Sequence, residues 1–119
     1  MVSLSQKLIG FEKIFTTLKE NLINKNLSNS LIFYGNKGIG KSTLTYFLIN
    51  YVFDEIYKNN PSSNHTNLIY NNSHPSVRLL RKEYDEKTKK FKKNIIINQI
   101  RDLESFIYQF TIDGSPKFI

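Results

Sequence analysis

The chain has 119 residues, of which 39% are hydrophobic and 13% aromatic, with a formal net charge of +7 and no cysteine. That length and composition support one globular domain with one core and exclude a disordered tail. The missing cysteines exclude disulfides and thiolate metal sites, and they fit a reducing cytoplasm.

The apolar runs are a few residues long, far short of the roughly 20 a membrane span needs. The N-terminus "MVSLSQKLIGFEKIF" lacks a basic start followed by a sustained apolar block. Neither a membrane span nor a signal peptide is expected. Lys, Asn and Ile together fill 43 of the 119 positions. Such a bias, of the kind an A/T-rich genome writes on any solvated surface, accounts for the positive charge without a dedicated nucleic-acid patch.

In chain order, Phe11, Ile14, Phe15, Leu18 and Leu22 recur at helical spacing, which predicts an amphipathic helix over 11–25. Asn26 to Ser30 form a polar break. Leu31-Ile32-Phe33-Tyr34 is a continuous apolar run closed by Gly35, the pattern of a strand covered on both faces. A second helical stripe, Leu44, Phe47, Leu48, Tyr51, Val52 and Ile56, predicts a helix over 41–57. Residues 58–67, "KNNPSSNHTN", read as a loop. Val77–Leu80 can form a strand, and 83–94, "EYDEKTKKFKKN", reads as a charged turn or hairpin tip. Ile100, Leu103, Phe106, Ile107 and Phe110 predict a third helix over 98–110, its stripe directed at a core. Asp113-Gly114-Ser115-Pro116 is a stop, and Lys117-Phe118-Ile119 turns extended again. Strand, glycine turn, helix and further alternation describe an α/β fold built on a parallel sheet, in a single domain.

The turn itself carries the chemistry. Gly35-Asn36-Lys37-Gly38-Ile39-Gly40-Lys41-Ser42 matches G-x-x-x-x-G-K-[ST] at every fixed position, and a predicted strand and helix flank it as the motif requires. The glycines let backbone amides approach phosphates. Lys41 can reach the β- and γ-phosphates, the Ser42 hydroxyl can ligate Mg²⁺, and Thr43 opens the helix, whose N-terminus favours an anion. Hydrolysis needs more: an acidic residue closing a neighbouring strand to hold Mg²⁺ from the other side, and a group that orients water. Asp54 and Glu55 fall on the second helix, Asp85 and Glu86 in the charged turn, Asp102 and Glu104 on the third helix. Asp113 follows Thr111-Ile112 and closes no clean apolar strand. The terminal "KFI" reads as the opening of such a strand, so the chain is expected to stop just before its second metal ligand.

At "GNKGIGKSTLTYFLINYVF", "HPSVRLLRKEYDEKTKKFKKNIIINQIRDLESFI" and "GSPKFI" the chain resembles the delta-prime subunit family of bacterial DNA polymerase III, in its alphaproteobacterial form. The second stretch narrows the choice, because many families share the loop. The resemblance implies the N-terminal part of an AAA+ ATP-binding domain: a three-layer parallel sheet flanked by helices, truncated before the acidic Walker B strand. It implies that Gly35, Gly38, Gly40, Lys41, Ser42 and Thr43 contact ATP and Mg²⁺, with Asn36, Lys37 and Ile39 completing the loop. Many relatives carry a cysteine zinc module after the first P-loop helix; with no cysteine here, no zinc is expected. Other clamp-loader subunits are the implied partners, DNA is reached only indirectly, and the location is cytoplasmic. The family works within a nucleotidyltransferase holoenzyme, but this chain is not expected to be catalytic alone. A self-contained small P-loop NTPase or nucleotide kinase, with Asp113 as its acid, and an inactive vestige or split fragment are the alternatives.

Two further features have plain readings. Lys87, Lys89, Lys90, Lys92 and Lys93 surround Phe91; with Asp85 and Glu86 diluting the charge, a solvated hairpin tip is preferred over a nucleic-acid contact. His65 and His74 are nine positions apart without an acidic or thiol partner, so no metal site is expected.

Overall fold

The computed structural model describes residues 10–111 and 114–119. The helices are α1 (Glu12–Ile23), α2 (Lys41–Ile56), α3 (His65–Tyr70) and α4 (Ile97–Tyr108), with strands β1 (Tyr84–Asp85) and β2 (Lys90–Phe91) between α3 and α4. The chain divides into two compact units, Met1–Asn71 and Asn72–Ile119, where the sequence suggested one domain. Each unit closes a small core of its own.

In the first unit α2 is the central element. It buries Leu44, Leu48, Ile49 and Phe53, and α3 adds Ile69 and Tyr70. Phe53 and Ile69 are fully buried, each contributing about 1.5–3 kcal/mol of transfer free energy. The Tyr46 and Tyr70 rings stack at 5.7 Å, joining α2 to α3. Helix α1 buries no residue fully. It rests on α2 through Phe15, edge-on to Tyr51 at 6.3 Å, with the Lys19 ammonium 4.4 Å from the Tyr51 ring centre. Helix α3 begins inside the stretch read as a loop over 58–67. His65 Nε2 lies 2.6 Å from Asp54 Oδ1 on α2, and Ser63 Oγ lies 2.8 Å from His65 Nδ1. His65 therefore does have an acidic partner, eleven residues away in the chain, where local spacing could not show it.

The strand expected over 31–34 does not form. Ile32 and Tyr34 are 88% and 93% exposed. A strand cannot satisfy its own backbone groups, and none of the hydrogen bonds among the described residues pairs 31–34 with a neighbouring strand. Without a partner the run belongs to no strand, and Leu31, Ile32 and Tyr34 are exposed with Phe33 half-buried.

In the second unit, Val77 and Phe118 form an isolated parallel bridge: Arg78 N–H donates to the Phe118 carbonyl and Phe118 N–H to the Ser76 carbonyl, both at 2.9 Å. The strand read over 77–80 is reduced to this bridge. The Ser76 and Ser115 hydroxyls share a buried 3.0 Å hydrogen bond beside it. Strands β1 and β2 pair antiparallel, Tyr84 opposite Phe91 and Asp85 opposite Lys90, so the described sheet is a two-stranded hairpin and not a three-layer parallel one.

Helix α4 starts where Gln99 Oε1 accepts the Ile96 amide at 3.0 Å. It ends where the Lys117 ammonium donates to the carbonyls of Phe106, Ile107 and Gln109. A cation at the negative end of a helix also complements its dipole. Of the stripe expected to face a core, only Phe106 is buried, flanked by the Arg78 guanidinium at 5.0 Å and Lys117 at 5.1 Å. Ile100, Ile107 and Phe110 are exposed, Phe110 completely. The periodicity is right for a helix, but the second unit supplies too little sheet to cover that face.

Candidate phosphate-binding site

The loop between the bare segment and α2 turns at its glycines. Gly38 (φ 83°) and Gly40 (φ 101°) occupy the left-handed region that side chains with a Cβ avoid. A Cβ on Gly38 would meet nothing within 4 Å, so there the requirement is conformational. On Gly40 it would approach the Phe11 ring to 3.3 Å. Phe11 thus borders the loop from the start of α1, a role its place on a helical stripe gave no hint of.

Within the turn the backbone makes one weak internal contact, Ile39 N–H to the Asn36 carbonyl at 3.4 Å, and Leu44 N–H to the Gly40 carbonyl at 3.0 Å opens α2. Among the described residues the amides of Gly38, Gly40, Lys41 and Ser42 donate to no backbone carbonyl. Helix N-termini leave such donors unsatisfied, and the dipole adds a positive field along them.

The Lys41 ammonium reaches back across the turn and donates to the carbonyls of Gly35 at 2.9 Å and Asn36 at 2.8 Å. The Gly35–Asn36 limb is thereby fastened to the helix start. Asn36, Lys37, Ile39 and Ser42 are exposed, and Lys41 and Thr43 are half-buried. The residues of the motif lie in one continuous turn, with the Ser42 hydroxyl open on the first turn of the helix. These features suit a phosphate: left-handed glycines, unpaired amides and a cation with accessible surroundings.

Asp54 lies twelve residues beyond Ser42 on the same helix, about 18 Å along its axis, and is hydrogen-bonded to Asn50 and His65. Asp85 is turned into the hairpin, and Asp102 and Glu104 sit exposed on α4. Asp113 lies outside the described residues. Among the described residues no group of three or more His, Cys, Asp or Glu side chains could hold a metal ion.

A glycine turn that feeds a helix N-terminus is the form anion-binding loops take. The family model for DNA polymerase III, delta subunit, matches residues 10–119, and the chain belongs to that family. This agrees with the resemblance to delta-prime: the chain is a clamp-loader region of the delta-prime type, from an AAA+-like family that acts in DNA replication. No curated protein and no solved structure matches it. No helix among the described residues is long and apolar enough to cross a membrane.

Proposed function

We propose that this chain is the ATP-binding region of a clamp-loader subunit, gripping nucleotide phosphates without hydrolysing them on its own. Gly35 to Thr43 form the grip. The amides of Gly38, Gly40, Lys41 and Ser42 receive phosphate oxygens, Lys41 exchanges its two carbonyl partners for the β- and γ-phosphates, and Ser42 supplies one ligand to Mg²⁺. ATP brings the negative charge that the helix end and the ammonium are arranged to meet. The observation that carries this reading is the coincidence of unpaired amides with a lysine already folded over the same turn. Hydrolysis is left out because it requires a second acid and a water-orienting group, and the reading assigns neither role to a residue of this chain.

Other clamp-loader subunits are the partners of this reading, in the cytoplasm. Titration of the purified chain with Mg²⁺ and a fluorescent ATP analogue tests it. Saturable binding is expected, weakened at least about tenfold in Lys41→Ala, since a charge-assisted contact is worth about 1.5–3 kcal/mol. A chain with helical circular dichroism that binds no ATP, or binds it as well without Lys41, refutes the reading.

A further inference from the structure

The positive charge of this chain is unevenly placed. Residues 81–93 hold seven cations against three carboxylates, a net +4 in 13 residues, more than half the excess of the whole chain. Asp85 and Glu86 argued against a nucleic-acid contact when only the sequence was considered. The structure changes that weighing. Asp85 is turned into the hairpin, where its Oδ1 accepts the Lys87 amide at 2.9 Å and the Thr88 amide at 3.4 Å. Glu83 is held by Lys92 at 2.7 Å. Asp85 keeps its charge but is committed to the turn amides, so Asp85 and Glu86 face six cations once Glu83 and Lys92 are paired, and none of the exposed Lys87, Lys89, Lys90 and Lys93 pairs with a carboxylate among the described residues.

The cations are carried by a positioned ribbon. Lys92 N–H donates to the Glu83 carbonyl at 2.8 Å, extending the two-residue strands, and Gln99 Nε2 on α4 donates to the Arg81 carbonyl at 2.8 Å, anchoring the base. On one face of the ribbon Tyr84 and Phe91 meet edge to face, centroids 5.3 Å apart, yet stay 50% and 62% exposed. Beside them lies an open hollow of about 430 Å³, whose lining includes Leu79, Arg81, Lys82, Tyr84 and Phe91. That volume falls within the roughly 300–1,000 Å³ of small-ligand sites.

We propose that the β1–β2 hairpin binds single-stranded nucleic acid, its lysines following the phosphates and one unstacked base lying on the Phe91–Tyr84 face beside Arg81 and Lys82. Phosphate contacts explain the lysines, and open aromatic rings next to cations are what single strands use for stacking. A duplex keeps its bases stacked and offers the rings nothing. The hairpin lies outside the ATP-binding residues, so this is a direct nucleic-acid contact in addition to the subunit partners proposed above.

The chain has no tryptophan, so Phe91→Trp installs a single indole reporter at the stacking position. With oligothymidylate, this variant should bind by fluorescence anisotropy with its indole emission quenched, and a duplex of equal length should bind more weakly and leave emission unchanged. For about four phosphate contacts, log affinity should fall with log salt at a slope of about −3. The pair Lys89→Glu and Lys90→Glu should weaken binding roughly tenfold or more, and Phe91→Leu, which keeps apolar packing without a ring, should also weaken it roughly tenfold. All these variants are expected to bind ATP as the parent chain does, so failure here and failure of ATP binding are separate results. Oligothymidylate binding without quenching, binding indifferent to the two charge reversals, or equal affinity for duplex and single strand each overturns the proposal.

Discussion

The two sides of the phosphate loop, nine residues apart, behave in opposite ways. Downstream, Leu44 and Leu48 are buried as their spacing foretold, joined by Ile49 and Phe53 from outside the expected stripe, while Ile56 of that stripe is exposed. Upstream, Leu31 to Tyr34 form an equally apolar run, and Ile32 is 88% exposed. A helix satisfies its own backbone and needs neighbours only along one stripe, whereas a strand needs hydrogen-bond partners from elsewhere before its side chains can be covered. The second unit repeats the contrast: α4 is twelve residues long, while β1 and β2 are two residues each.

The comparison is broken most severely by emptying the helix side. Phe53→Ala removes a fully buried ring and should cost about 3–5 kcal/mol, enough to abolish a cooperative melting transition followed by circular dichroism. At the junction, Gly40→Ala places a Cβ at φ 101° and 3.3 Å from Phe11. It should cost about 1–2 kcal/mol in melting stability and weaken ATP-analogue binding.

In the second unit, Lys117→Met removes the donor that closes the end of α4. It should cost about 0.5–1 kcal/mol, visible as faster amide exchange in the last turn of the helix. Hairpin order should follow Asp85. The Lys87 amide holds its carboxyl below the usual carboxylate range. A folded-state value below the unfolded one stabilises the turn at neutral pH and is lost as pH falls through the folded value. The ring-current shifts of Tyr84 and Phe91 should therefore persist at neutral pH and weaken as pH falls through the lowered Asp85 value, and Asp85→Asn should flatten that acid transition. The smallest effect belongs to the bare side: Ile32→Ser should change the melting free energy by less than about 0.5 kcal/mol. A large loss there would mean that the upstream run is packed after all.

What the sequence displayed follows the same division. Helices α1, α2 and α4 were legible because their stripes are local, within two residues of the observed ends. The loop was legible because each fixed position has its own mechanical task. Helix α3 was hidden in a polar stretch; its anchors, Ile69 and Tyr70 in the core and His65 on Asp54, depend on contacts with α2 that no short window contains. Lys117 read as a residue opening an extended segment, and its closure of α4 joins positions eight to eleven apart across a turn. Two site contributors went unnoticed for a related reason: the Gly35 and Asn36 carbonyls that hold Lys41 belong to the backbone, on which a side-chain pattern is silent.

The lysine clasp has a consequence for how ligand arrives. The ammonium already holds two internal acceptors, so on the proposed reading an incoming nucleotide must evict them, and the chain acts as a competitor for its own cation. Neutralising Lys41 would do two things at once, taking a charge from the ligand and unfastening the loop. Comparing Lys41→Met with Lys41→Arg, in the absence of nucleotide, separates the resting latch from the grip.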